Sequence, residues 1–154
     1  MATRSNIAYK TAEGKIRSVY AHWDGYVANN GRILQENYQD QAKIEALVAL
    51  GSISSLGAEL GEKQDFDDRS TQKDDWTLAY HRDRGEELVI NEYDDIPSWI
   101  EDMEEYAYLW NGKELLVNDH GARYDNGFPI FDLLEVVVPI EVARMEQRIA
   151  AMQN

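Results

Sequence analysis

The apolar residues of this chain come in short runs, and two of those runs have unusually clear boundaries. Asp40 stands in the position of a helix N-cap, and Gly51 stands where a left-handed residue commonly ends a helix. Between them, three apolar residues fall on one helical face: Ile44, Leu47 and Val48. Farther along, Asn111-Gly112 separates two strand-like runs, which predicts a hairpin with a two-residue type I′ turn. The chain therefore combines helix with strand.

The remaining runs give a coarse secondary structure. Strand-like patterns cover residues 5–9, 16–22, 76–81, 88–90, 106–110, 113–117 and 130–138, and a helix is the alternative for 130–138. Helical patterns cover residues 26–38, 40–50, 95–103 and 139–153, and the last of these has Pro139 in its first turn. Polar loops are expected at 62–75 and 119–127, and Trp76, Leu78 and Tyr80 are expected to share one strand face. We predict an α+β fold with a mostly antiparallel sheet and about three flanking helices.

Size and composition fit a single domain over residues 1–154. The chain has 154 residues, 44% of them hydrophobic, which is enough to bury a core. No apolar run approaches the roughly 18 to 20 residues of a membrane helix, and the N-terminus lacks the apolar core of a signal peptide. The absence of cysteine excludes disulfides, thiolate metal sites and thiol nucleophiles. We expect a cytoplasmic protein that has no cofactor and no membrane contact.

Acidic residues are concentrated in the second part of the chain. Residues 1–61 contain six acids and six bases, whereas residues 62–154 contain 23 acids and nine bases and carry the whole net charge of −14. Within the acidic region, residues 62–105, one base-free stretch has seven carboxylates: Glu92, Asp94, Asp95, Glu101, Asp102, Glu104 and Glu105. A field of this sign repels nucleic acids and anionic lipids but attracts a basic protein groove. The alternative is that these charges serve solubility only.

Two short segments concentrate the chemically capable side chains. The first island is residues 22–26 (HWDGY) and the second island is residues 80–86 (YHRDRGE). Guanidiniums beside an aromatic ring can hold a phosphate while the ring stacks on a base or sugar. The candidate ligand contacts are therefore Arg4, His22, Trp23, Asp24, Tyr26, Tyr80, Arg82 and Arg84. Alternatively, Arg82 and Arg84 form ion pairs with the surrounding acids.

A catalytic interpretation of the first island depends on one pair. Residues two apart on a strand share a face, so His22 and Asp24 form a candidate acid–base pair. The structural alternative is that Asp24 and Gly25 form the turn that ends the strand and that Trp23 belongs to the core. Two loops rich in oxygen ligands, around Asp65 and around His120, lack the spacing of a calcium loop. We predict no metal site.

Four segments also carry a family resemblance: Thr3-Arg4-Ser5, His22 to Tyr26, Leu50 to Gly57, and Arg82 to Glu86. With these segments, roughly the first 86 residues resemble a group of small, largely uncharacterised proteins encoded by tailed phages and prophages. The resemblance implies an accessory role in the bacterial host cytoplasm, directed at a host component and plausibly against host defence.

These observations leave three hypotheses open. The first is a phage accessory protein that inhibits a host factor by binding, either by docking its acidic surface on a basic host protein or by sequestering a small anionic nucleotide. The second is a small hydrolase or nuclease-like enzyme that uses His22 and Asp24. The third is a homo-oligomeric structural protein that assembles through the apolar stripe from Val142 to Met152 on its last helix.

Overall fold

One large sheet organises the fold. The computed structural model describes residues 2–119, 124–125 and 128–153. The strands of the large sheet are β1 (Ser5–Lys10), β2 (Ile16–Ala21), β3 (Ile53–Ser55), β4 (Leu78–Ala79), β5 (Asn91–Tyr93), β6 (Tyr106–Trp110), β7 (Leu115–Asp119) and β10 (Asp132–Leu133). The strands β8 (Tyr124–Asp125) and β9 (Phe128–Pro129) form a separate ladder. The helices are α1 (Arg32–Asn37), α2 (Gln41–Ala49), α3 (Tyr80–Arg84), α4 (Ile96–Glu101) and α5 (Leu134–Met152). A π-helical turn, Val27–Gly31, precedes α1, and a 3-10 turn occupies Arg69–Thr71.

The strand order explains how distant segments meet. The order is β10-β7-β6-β1-β2-β3-β4, and β5 pairs with the first half of β2. In the part of the chain that the structure describes, β1 pairs with β6 and β2 pairs with β3 in parallel, and the other pairings in this sheet are antiparallel. The predicted α+β class and mostly antiparallel sheet are confirmed.

Both faces of the sheet are covered. Alternate strand residues such as Ile7 and Val19 pack against Leu47 of α2, together with α1 and α5. On the opposite face, Ile16 packs against Trp99 of α4, whose indole Nε1 donates to the Ser18 hydroxyl at 2.9 Å. Within the described residues, no helix is both long and apolar enough to cross a membrane. One sheet with a core on each face makes this a single domain.

The elements with strong local signals form as predicted. The Asp40 side chain accepts from the Ala42 amide at 3.2 Å at the start of α2, and Gly51 has a left-handed φ of 78° at its end. Asp95 caps α4 in the same way, with the Ser98 amide 2.9 Å away. The hairpin of β1 and β2 is also confirmed.

The predicted strand over 76–81 is confirmed only for β4, and α3 begins at Tyr80. Trp76, Leu78 and Tyr80 alternate with the buried Thr77 and Ala79, as expected for one face, but theirs is the half-buried face. The Thr77 hydroxyl accepts from the Gly57 amide at 3.0 Å and the Ala79 amide donates to the Asp83 carboxylate at 2.7 Å, so polar contacts hold these positions inward.

Three further expectations need correction. Residues 88–90 form no strand, and pairing with β2 begins instead at Asn91. The 130–138 run is not one strand, because β10 is short and α5 starts at Leu134. Burial at Leu134 and Val138, with Val136 54% exposed, follows helical rather than strand spacing. The predicted helix 139–153 therefore begins five residues earlier, and Pro139 lies inside it.

The turn between β6 and β7 also differs from the prediction. Trp110 pairs with Leu115, so the loop has four residues, and the Asn111 amide donates to the Glu114 carbonyl at 3.2 Å. The Asn111 side-chain oxygen accepts from the Lys113 amide at 2.9 Å. Gly112 has φ 98° but Asn111 has no positive φ, whereas a type I′ turn requires two. The predicted loop at 119–127 lies partly outside the described residues.

Candidate functional site

Strand β3 brings the two islands together. The amides of His22 and Trp23 donate to the carbonyls of Ile53 and Ser54, at 3.1 and 3.0 Å, on one edge of β3. On its other edge, the Tyr80 amide donates to the Ser52 carbonyl at 3.2 Å. Neighbouring strands lie about 4.8 Å apart, so the two islands are separated by about 10 Å at the backbone.

The first island ends in a fixed turn. Asp24 has a left-handed φ of 55°, which is uncommon for a residue other than glycine. The Gly25 amide donates to the Thr3 carbonyl at 2.8 Å, and the Tyr108 hydroxyl donates to the Gly25 carbonyl at 2.6 Å. A Cβ at Gly25 would lie 2.8 Å from the Cβ of Ser5, so glycine is required here. The structural interpretation of Asp24 and Gly25 as a strand-ending turn is therefore correct.

The predicted catalytic pair is not formed. His22 Nδ1 lies 2.6 Å from the Tyr20 hydroxyl, and among the described residues no hydrogen bond or ion pair joins His22 to Asp24. The left-handed backbone at Asp24 breaks the strand alternation on which the prediction depended. The hydrolase hypothesis therefore loses the geometry that motivated it.

Tyr20 is the candidates' neighbour that the strand alternation places beside His22, with its hydroxyl 2.6 Å from His22 Nδ1. Burial raises the pKa of the Tyr20 hydroxyl, Arg4 opposes that rise, and Glu104 and Tyr80 add to it.

A cleft of about 460 Å³ opens beside β3. We call it the island cleft, and it is lined by Trp23, Asp24, Ser54, Ser55, Phe66, Arg69, Gln72 and Leu78. The Trp23 side chain is 44% exposed, so it is not a core residue as the structural alternative proposed. Arg69 is exposed, and in the described part of the chain it forms no ion pair. The cleft thus combines aromatic rings, hydroxyls and an available cation.

Phe66 connects this cleft to the second island. Its ring lies 5.4 Å from the Tyr80 ring, and the Arg84 guanidinium lies 4.2 Å above it. Arg84 is also 5.1 Å from the Tyr80 ring and forms an ion pair with Glu86. Phe66 therefore contacts two ligand candidates of the second island and lines the same cleft as Trp23 and Asp24 of the first.

The Arg82 side chain has a structural role. Its guanidinium donates to the carbonyls of Leu60 and Thr77 at 2.8 and 2.6 Å and to the Asp83 carboxylate at 3.0 Å. Asp83 in turn accepts from the Gln64 amide at 2.8 Å. All three guanidinium nitrogens of Arg82 are engaged within the protein, which is the arrangement of the ion-pair alternative.

Tyr26 points to a different place. It lines a second cleft, of about 470 Å³, with Tyr106 and Arg148 of α5. Burial is the largest cause that raises the pKa of Tyr26, and Asp24 adds to it. The structure therefore separates Tyr26 from the other candidates of the first island.

The seven carboxylates of the base-free stretch divide into two groups. Glu92 forms ion pairs with Lys15 and Arg17, at 3.4 and 3.8 Å. Asp95 caps α4, which holds its pKa below the usual value, and Asp102 accepts from the Tyr93 hydroxyl at 3.0 Å.

The other four carboxylates of the stretch form no ion pair among the described residues: Asp94, Glu101, Glu104 and Glu105. Asp94, Glu101 and Glu105 are exposed, and Glu104 is half-buried.

Sequence reasoning missed several residues that complete the site. Phe66 and Arg69 lie in the polar 62–75 loop, where no periodic pattern indicates which side chain turns toward the sheet. Ser54 and Ser55 lie on β3, in a segment whose sequence is turn-rich and has no strand pattern. Tyr20 is the same-face neighbour of His22 by strand alternation, and that rule was sufficient to find it.

Among the described residues, no group of three or more His, Asp or Glu side chains is placed to hold a metal ion, and His120 lies outside those residues. No family model, curated protein or solved structure matches this chain.

Proposed function

We propose that this protein is a phage-encoded accessory protein that inhibits a host factor by binding, and that the island cleft sequesters a small anionic ligand of the nucleotide class. The observation that carries the proposal is the placement of two aromatic rings, Trp23 and Phe66, in the same cleft as the unpaired cation of Arg69. The chain acts by recognition in the bacterial cytoplasm and performs no chemistry on its ligand.

The cleft offers a contact for each part of a nucleotide. A base that stacks on an exposed ring such as Trp23 gains about 1 to 3 kcal/mol. The planar guanidinium of Arg69 matches the geometry of a phosphate group, and the Ser54 and Ser55 hydroxyls line the same cleft.

The charge around the cleft favours a compact ligand. Asp24 lines the cleft, and Asp65, Asp67 and Asp68 lie on the loop that carries Phe66 and Arg69. A polyanion such as DNA or RNA would meet these carboxylates along its length, because its charge is repeated at every phosphate. A ligand with one or two phosphates meets mainly Arg69.

Calorimetric titration with a panel of mononucleotides and cyclic dinucleotides tests this proposal. We expect one nucleotide class to bind the wild-type chain, Trp23→Ala to weaken that binding tenfold or more, and Arg69→Gln to weaken it similarly. Phe128→Ala removes a more exposed ring outside the cleft, and Arg32→Gln removes a cation on α1. Both should leave the affinity unchanged. If no nucleotide binds, the cleft has another role.

A second candidate function is docking on a basic host protein. It is supported by the exposed carboxylates of Asp94, Glu101 and Glu105, which form no ion pair in the described part of the chain. Opposite fields accelerate such an encounter and make it sensitive to salt.

Capture of proteins from a bacterial host lysate by wild type and by variants tests the docking function. We expect the triple variant Asp94→Asn/Glu101→Gln/Glu105→Gln to lose a basic partner that wild type retains. The control Glu13→Gln/Glu36→Gln/Glu45→Gln removes the same number of exposed charges from the neutral part of the chain and should retain it. Equal capture by both variants would exclude the acidic surface as the docking site.

A further inference from the structure

The last helix leaves the body of the domain along its length. Its apolar residues at positions 134, 138, 142, 145, 149 and 152 share one helical face. Leu134 is fully buried and Val138 is 8% exposed, but Ile149 is 50% exposed and Met152 is 84% exposed. The same face that packs on the sheet at the start of α5 is therefore uncovered at its end.

The uncovered end contains one fully apolar turn. Ile149, Ala150, Ala151 and Met152 follow one another, and all four are exposed. Contiguous exposed apolar surface of this kind marks a contact with another molecule.

The charges on α5 suit a second copy of the same helix. Glu141 and Arg148 are seven residues apart, so they lie on the same flank of the exposed stripe. When two copies pack antiparallel about an axis near Met145, Glu141 of each copy faces Arg148 of the other. In the same register, Val142 meets Ile149 of the second copy. Arg148 forms no ion pair among the described residues, whereas Glu141 is paired with Arg144 of its own helix at 2.7 Å and exchanges that exposed contact for Arg148 of the second copy.

The net charge of the whole chain also favours this surface for contact between two copies. Two copies that each carry −14 repel one another across most orientations. Residues 139–153 contain two acids and two bases, so their net charge is zero. The end of α5 is thus an apolar surface on which a second copy meets no net repulsion.

We propose that two copies of this chain form a homodimer by antiparallel packing of the C-terminal halves of their α5 helices. This dimer is independent of the island cleft and of any ligand there. Its interface has a central stripe of Val142, Met145 and Ile149, and both Glu141–Arg148 pairs lie on one flank of that stripe, one at each end.

Sedimentation equilibrium tests the apolar part of the proposal. We expect the wild-type chain to be a dimer and Ile149→Glu to be a monomer. The control Val89→Glu changes a similarly exposed apolar residue far from α5 and should remain a dimer. A wild-type monomer at all concentrations overturns the proposal, and so does a dimer that Ile149→Glu leaves intact.

A mixing experiment tests the antiparallel register. In Arg148→Glu both charged positions are acidic, and in Glu141→Arg both are basic, so each variant alone should dimerise at least tenfold more weakly than wild type. An equimolar mixture should form a heterodimer as tight as the wild-type dimer, because every pair in it joins opposite charges. If the mixture is as weak as its components, the proposed register is wrong.

Discussion

Arg82 and Asp83 are adjacent residues whose charges neutralise each other in a nearly buried position. The Arg82 side chain is 16% exposed and that of Asp83 is fully buried. Together they join the 60–64 segment, β4 and α3 through hydrogen bonds to backbone groups. This pair therefore holds the second island in its conformation, and Tyr80 and Arg84 remain as the candidate ligand contacts of that island.

Loss of the Asp83 charge should be strongly destabilising. We expect Asp83→Asn to lower the free energy of unfolding by about 3 to 5 kcal/mol, because it leaves the Arg82 charge without its buried partner. Glu86→Gln removes the exposed partner of Arg84 and should cost less than about 1 kcal/mol. Urea unfolding of both variants measures the difference, and equal losses would contradict the structural role of Arg82.

Tyr38 makes stability depend on alkaline pH. Burial is the main cause that raises the pKa of Tyr38 from 10.0 to about 12, and its hydroxyl donates to the Gly57 carbonyl at 2.7 Å. Between these two values the unfolded chain releases the proton and the folded chain keeps it, so stability is complete below pH 10 and falls as pH rises toward 12. Melting temperatures from pH 8 to pH 11 should fall less steeply for Tyr38→Phe than for wild type. Parallel curves would show that Tyr38 does not contribute.

At the scale of elements, the sequence alone predicts a helix correctly where a capping residue is followed by an apolar helical face. Helices α2 and α4 have a capping aspartate and apolar residues at helical spacing, and both form as predicted. The 130–138 run was misassigned because its β-branched residues favour a strand locally, whereas burial of Leu134 and Val138 favours a helix. The 76–81 segment is only partly extended because hydrogen bonds fix Thr77 and Ala79 in place. Their partners are Gly57, which is distant in sequence, and Asp83, which follows the segment.

The candidate site was predictable only in part for the same reason. The islands are visible because unusual residues are adjacent in sequence, whereas β3 lies in a turn-rich segment that no strand pattern marks. The contribution of Phe66 and Arg69 depends on how a 14-residue polar loop folds back on β3, which no local rule fixes.

The cap of α2 gives a test at this scale. Asp40→Ala removes the acceptor for the Ala42 amide, and we expect it to lower the free energy of unfolding by about 1 kcal/mol. Glu45→Ala lies on the exposed side of the same helix and should change stability by less than about 0.5 kcal/mol. Chemical denaturation of the two variants checks this, and a larger loss for Glu45→Ala would contradict the assignment.

At the scale of the whole molecule, the net charge of −14 opposes the compact state through self-repulsion. Salt screens such repulsion, with a Debye length of about 10 Å at 0.1 M. We therefore expect the melting temperature to rise as sodium chloride is added at neutral pH. Asp94→Asn/Glu101→Gln/Glu105→Gln should show a smaller rise, since three uncompensated charges are removed. A melting temperature that falls with salt would mean that ion pairs outweigh the repulsion.

The central claim is that the island cleft beside β3 is a recognition site for a small anionic ligand. Two-dimensional ¹H–¹⁵N NMR of the labelled chain, titrated with the tightest nucleotide found by calorimetry, tests it most directly. We predict saturable shifts of the Trp23 indole and of the Ser54, Ser55 and Arg69 amides, with the α4 amides unmoved. Shifts that avoid the cleft, or that spread evenly over the acidic surface, would contradict the claim.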